Sequence, residues 1–142
     1  MSDSLYRSVL LDTGPLVAIL DRTDHSHSQC VSTLNRIEPP LLTCWAVLTE
    51  AAWLLRATPE ALKSLLAAKD ATFFRILDVP QEEFPEIRRL FDEYEDLCPQ
   101  LADLTLFHLA LREGLDTVFT LDRRDFTVFR RSNKQPFTLL PA

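Results

Sequence analysis

Four acids stand where carboxylates are uncommon. Asp12 follows the apolar run Val9-Leu10-Leu11 directly, and Asp122 follows Val118-Phe119-Thr120-Leu121. A short apolar run that ends on an acid reads as the carboxyl end of a buried strand, and in an open parallel sheet those ends face the ligand crevice. A turn or helix-cap aspartate is the plain alternative for either one alone; its recurrence at two equivalent places weighs against that. Glu50 lies inside the helical stripe Ala46, Val47, Glu50, Trp53, Leu54, spaced i, i+3, i+4, i+7. Asp103 leads a second stripe, Asp103, Leu106, Phe107, Ala110, in a first helical turn where negative charge also suits the helix dipole. A carboxylate on an inward face needs a cation, a proton or water, because burying it unpaired is costly.

Convergence of the four would create a cleft of mutually repelling carboxylates. The natural counter-charge is a hard divalent cation, and an all-oxygen donor set selects Mg²⁺ or Mn²⁺ over zinc. Such an ion keeps several waters, which suits hydrolysis of a phosphodiester by water activated at the metal.

The elements needed to bring these acids together are legible in the pattern of apolar runs, prolines and glycine. Strands are expected at residues 9–11, 41–43, 73–79, 117–121 and 137–140. Helices are expected over 15–20, 26–37, 45–57, 59–71, 81–94 and 102–112, with Pro15 and Pro59 near helix starts and Gly114 as a C-terminal cap. Strands alternating with helices indicate parallel strands joined by crossovers, the α/β class. No repeat, low-complexity tract or linker interrupts the 142 residues, so residues 1–142 are expected to form a single domain.

Composition narrows the function classes. The chain has two glycines, too few for a dinucleotide-binding fingerprint, a P-loop or a turn-rich β-barrel. The net charge is −6, so nucleic acid is not held by overall charge, and any such role rests on a local basic patch or a bridging metal. One patch exists: Arg123, Arg124, Arg130, Arg131 and Lys134 stand against the single nearby acid Asp125, a composition that suits phosphate. The segment 81–96 is strongly acidic and should repel it. Cys30, Cys44 and Cys98 are odd in number and scattered, and read as free thiols. His25 and His27 read as loop residues and His108 as structural. Met1 to Ser8 has no apolar signal-peptide core, and no run of about 18 apolar residues spans a membrane; a cytoplasmic protein is expected.

The segments VLLDTGPLVAILDRTDHSH around Asp12, LTEAAWLL around Glu50, LADLTLFHLALREG around Asp103 and TVFTLDRRDF around Asp122 and Asp125 resemble, in order, those of the PIN-domain ribonucleases, most closely the VapC-type toxins of toxin–antitoxin pairs. The resemblance covers about residues 8–140. It implies a three-layer α/β/α sandwich with a central, mostly parallel sheet and a Mg²⁺-dependent endoribonuclease, with Mn²⁺ as an alternative ion. It also implies an RNA substrate, a cognate antitoxin protein and, often, a homodimer. The family's four acids map onto Asp12, Glu50, Asp103 and Asp122, with Asp125 as an extra acid and Thr13 and Thr120 as assisting hydroxyls. Leu104 departs from the pattern, since a small residue usually follows the third acid. Three other readings compete with it. Asp12-Thr13-Gly14 is also the aspartic-protease triplet, but those enzymes are β-rich with glycine-rich flaps. A receiver-like phosphoacceptor would want a paired acid after its first strand and a lysine after its last core strand. A non-catalytic PIN-like module for RNA binding or interaction would not need intact acids.

Overall fold

The computed structural model describes residues 5–67 and 73–142. Five short strands form one all-parallel sheet: β1 (Leu10–Leu11), β2 (Leu41–Thr43), β3 (Phe74–Ile76), β4 (Thr117–Phe119) and β5 (Thr138–Leu140), in the order β3-β2-β1-β4-β5. The sequence runs outward from β1 in one direction to β3, then returns to β1's other side with β4. The sheet therefore has its topological switch point between β1 and β4, where open α/β sheets leave a crevice beyond the carboxyl ends of the strands. Among the described residues six α-helices alternate with these strands: α1 (Thr13–Leu20), α2 (His27–Leu34), α3 (Trp45–Leu54), α4 (Pro59–Leu66), α5 (Phe84–Glu93) and α6 (Leu101–Glu113). The α/β architecture expected from the alternation of elements is the one observed.

Boundaries differ from the expected ones for identifiable reasons. α1 starts at Thr13 rather than Pro15, because Asp12 caps it by accepting the Thr13 amide at 2.8 Å. α2 stops at Leu34, and the expected continuation to Ile37 is diverted into a bridge between Ile37 and Tyr6. The helix expected to reach residue 71 ends at Leu66, with 68–71 lying outside the described residues. The expected helix 81–94 divides into a 3₁₀ turn, Gln81–Glu83, and α5; Pro85 fits only the first turn of an α-helix, where its missing N–H is no loss. α6 closes on Gly114 in the left-handed region, φ +69°, which glycine enters without the Cβ penalty.

α6 is the organising element. Every residue from Ala102 to Ala110 is buried. Its Phe107 stacks on Phe129 at 4.2 Å between ring centroids, and Phe126 meets Phe129 edge-on at 5.3 Å. Phe137, just before β5, contacts Phe107 and Phe126 as well. Each such pair contributes about 0.5–1.5 kcal/mol beyond its area. This cluster ties the irregular segment after β4, which carries Asp122 and Asp125, to the helix that carries Asp103. Leu104, the departure from the family pattern, is buried and lines an apolar groove instead of crowding Asp103.

Candidate active site

Asp12 leaves the sheet at the end of β1. Its amide still bonds the Phe119 carbonyl of β4 at 3.0 Å, while Thr43 at the end of β2 donates its hydroxyl to the Leu11 carbonyl at 2.9 Å. Three strands thus fix the backbone from which the Asp12 carboxylate projects. One carboxylate oxygen accepts the Thr13 amide; the other lies 2.7 Å from the Thr120 hydroxyl, which is fully buried. The same hydroxyl is 3.0 Å from the Asp122 carbonyl oxygen, and its single proton serves one acceptor at a time. Thr120 therefore links the first acid to the segment bearing the fourth.

Asp103 is buried in the first turn of α6, the helix that packs against α3. Glu50 is half-buried on α3. Asp122 was expected at a strand end. β4 instead stops at Phe119, and Asp122 is exposed three residues on, with its carboxylate accepting the Arg124 amide at 3.3 Å. Thr120 still donates its amide to the Leu140 carbonyl of β5, while its hydroxyl turns inward toward Asp12 and the Asp122 carbonyl.

All four acids line one cleft of about 340 Å³ at the switch point, together with Thr13, Gly14, Leu54, Gln100 and Leu121. Asp125 is buried behind it, its carboxylate 3.1 Å from the Arg124 guanidinium. The electrostatics are strained. Burial pushes the Asp12 carboxyl above the ordinary carboxylate range, against the pull of Thr120 and the Thr13 amide. Asp103 is pushed up to about 8, first by burial, then by the neighbouring Asp12 charge, a hydrogen bond to Asp12, and the charges of Asp125 and Asp122. Two carboxyls so placed share a proton rather than both ionising.

A divalent cation fits this donor set. Apart from the Gln100 amide, the polar side chains lining the cleft carry oxygen alone, a surplus of negative charge is held there, and the buried Thr13 hydroxyl has no hydrogen-bond partner among the described residues. Among the described residues no three Asp, Glu, His or Cys side chains are gathered tightly enough to ligate an ion by themselves.

The five basic residues divide. Arg123 donates to the Pro141 carbonyl and Arg124 to the Leu97 carbonyl and Asp125, at the acid end of the sheet. Arg130 caps the carbonyls of Thr127, Val128 and Phe129. Arg131 reaches toward Asp116, which precedes β4, so it sits at the opposite end of the sheet; with Arg130 and Lys134 it lines a separate hollow against α5 and α6. None of the five lines the four-acid cleft. His27 is tied to the Ala18 carbonyl at 2.7 Å, and His25 is exposed beside Asp24. Sequence reasoning missed Gln100, Leu54 and Leu121 as cleft residues, because their types carry no signal until the walls are assembled. Cys44, which caps α3, is near enough to Asp12 and Asp103 to feel their charge; burial chiefly raises its thiol to about 11, so it stays protonated. Among the described residues no helix is long and apolar enough to cross a membrane.

Ribonuclease VapC26 of Mycobacterium tuberculosis is 24% identical over 135 residues, which make up 94% of this chain and 100% of that protein. The crystal structure of VapC20 of Mycobacterium tuberculosis, a sarcin–ricin loop cleaving toxin, is similar with a TM-score of 0.73 at 18% identity, covering 82% of this chain and 92% of that one. The PIN domain model matches residues 9–132, the stretch that contains every acid of the cleft, and the chain belongs to the PIN domain family.

Proposed function

We propose that this protein is a metal-dependent endoribonuclease, the toxin of a toxin–antitoxin pair, acting in the cytoplasm. The observation that carries the reading is the meeting of Asp12, Glu50, Asp103 and Asp122, from four separate segments, in one cleft at the switch point of the sheet. Kinship with ribonuclease VapC26 and likeness in fold to the VapC20 toxin support it. Asp12 and Asp103 would hold Mg²⁺ or Mn²⁺ most directly, with Glu50 and Asp122 contributing directly or through water and Asp125 adding charge from behind. Bound there, the ion would supply electrophilic activation of the phosphodiester and of a water.

The chain's own residues prepare that chemistry. Thr120 and the Thr13 amide hold the Asp12 carboxylate in one orientation. Burial and mutual repulsion favour a proton on the Asp12–Asp103 pair, and a bound cation would displace it. The phenylalanine cluster around Phe107 and Phe129 keeps α6 and the 122–129 segment in fixed relation. Arg123 and Arg124 lie at the acid end, where they would meet substrate phosphates; Arg130, Arg131 and Lys134 would engage RNA further from the cut.

An antitoxin and a second copy of the chain are the proposed protein partners. An apolar groove of about 530 Å³, lined by Trp45, Phe84, Ile87, Phe91 and Leu101 among others, is available on the flank formed by α3, α5 and α6. Four carboxylates would also attract an antitoxin guanidinium, which pairs bidentately with such groups. The test is incubation of the purified protein with structured RNA in Mg²⁺ or Mn²⁺, with and without EDTA. Cleavage that EDTA stops is expected; absence of cleavage with either ion overturns the nuclease reading. Coexpression with the neighbouring reading frame should yield a copurifying small protein and rescue growth, and if expression alone is harmless and nothing copurifies, the toxin reading falls.

A further inference from the structure

The walls of the cleft differ from its floor. Beside the acids stand two exposed apolar side chains, Leu54 at the end of α3 and Leu121 between β4 and Asp122, and one neutral amide, Gln100. A metal–phosphate site needs none of these. Leu121 is held in place rather than loose. An added Cβ on Gly14 would come within 3.2 Å of the Leu121 Cβ and 3.5 Å of its Cγ and Cδ1, so the first turn of α1 is bare where Leu121 rests on it. Gln100 occupies the N-cap position of α6 with extended backbone, φ −77° and ψ 153°, yet its side chain makes no capping bond. Its carbonyl already serves the Leu104 amide at 3.0 Å, and its exposed side-chain amide remains available at the cleft.

Two apolar faces beside a neutral donor–acceptor group are the chemistry of a nucleobase subsite. An unpaired base offers flat faces to apolar side chains and, on its edge, a neighbouring donor and acceptor that a glutamine amide matches bidentately. Resting on the ribonuclease reading, we infer that Gln100, Leu54 and Leu121 form a subsite for the unpaired nucleobase next to the scissile phosphate, and that Gln100 sets base preference at that position. The acids below would repel a base edge only through its acceptors, and the amide meets an acceptor with its own N–H donors.

A pool of single-stranded RNA with randomised sequence, cut in Mn²⁺ and sequenced at the new ends, tests the assignment. Wild type should show a base preference at one nucleotide flanking the cut. Gln100→Ala should flatten that preference by about tenfold, the scale of one bidentate contact, while the Mn²⁺-induced rise in melting temperature stays unchanged. Gln100→Asn, which keeps the amide but shortens its reach, should alter the preference rather than erase it, and provides the reading if Gln100→Ala fails to fold. Leu121→Ala should raise KM with little change in kcat. A preference identical in wild type, Gln100→Ala and Gln100→Asn overturns the subsite and leaves the nuclease standing. Wild type that cuts structured RNA but nothing in the pool overturns the subsite alone; wild type that cuts neither overturns both.

Discussion

Helix α6 carries two polar clusters five residues apart that treat their charge in opposite ways. Toward its start, Asp103 faces Asp12 across the cleft, and burial and like charge raise both carboxyls. Past its middle, buried His108 holds the Glu83 carboxylate at 2.6 Å, and Arg112 holds the same oxygen at 2.9 Å while also reaching the Asp78 carbonyl at 2.7 Å. There the carboxyl falls below its ordinary range, chiefly through the His108 bond and then the Arg112 bond. The second cluster is satisfied by the protein and fastens the 3₁₀ turn Gln81–Glu83, and with it the start of α5, onto α6. In the first, no cationic side chain among the described residues balances Asp12 or Asp103. An arrangement that costs stability as it stands, in a cleft open to solvent, supports the proposed cation-binding role.

That contrast is broken most directly at Asp103. Asp103→Asn removes one of the repelling charges and keeps the shape. RNA cleavage should fall by more than about 100-fold, beyond the usual loss for residues that only support a metal ligand. The metal-free melting temperature should not fall. Equal cleavage rates for Asp103→Asn and wild type would remove Asp103 from the site. Thr120→Val is the next step down. It deletes the hydroxyl that orients Asp12 without changing volume, and activity should drop about 10–100-fold with the fold retained; a fully active variant would mean that Asp12 needs no such support.

His108→Ala should do the reverse. Stability should fall by about 2 kcal/mol as a hydrogen bond to a charged group is lost, measured by denaturant unfolding, while the melting-temperature rise produced by Mn²⁺ is preserved. Loss of the metal response would show that the two clusters are coupled and not independent.

The smallest effect expected is a pH slope. The folded protein keeps a proton on the Asp12–Asp103 pair at neutral pH, whereas the unfolded chain has lost it. The stability this contributes is fully present below the ordinary carboxylate range and fades as pH rises through about 8. Metal-free melting temperature should therefore decline from pH 6 to pH 9, and Mg²⁺ should reduce the decline by replacing the proton. Glu83 has the opposite sign: its contribution is present above the ordinary glutamate range and is lost on acidification. A pH 6–9 decline of equal size in Asp103→Asn would assign it to some other group.

The sequence determined the α/β class and the identity of the four acids, because both are written in local pattern. Apolar runs of three to five residues ending on aspartate mark Asp12 and Asp122, helical spacing marks Glu50 and Asp103 as inward-facing, and a glycine after Arg112-Glu113 marks the end of α6. Boundaries were less legible, since Ile37 leaves its helix for a contact with Tyr6 and Pro85 resets the start of α5. What only the tertiary structure decided were relations between distant segments. Thr120 meets Asp12 across 108 positions of sequence because β4 pairs with β1, and Glu83 meets His108 because α5 packs on α6. Gln100, Leu54 and Leu121 become cleft walls only once α3, α6 and the turn after β4 are assembled. The basic residues between Arg123 and Lys134 are close in sequence yet divided in space, because the chain crosses from the carboxyl end of β4 to the amino end of β5 among them. Local pattern reports which face a residue presents, since period and burial are properties of one element. Which faces meet depends on strand order and packing, and no single segment encodes these.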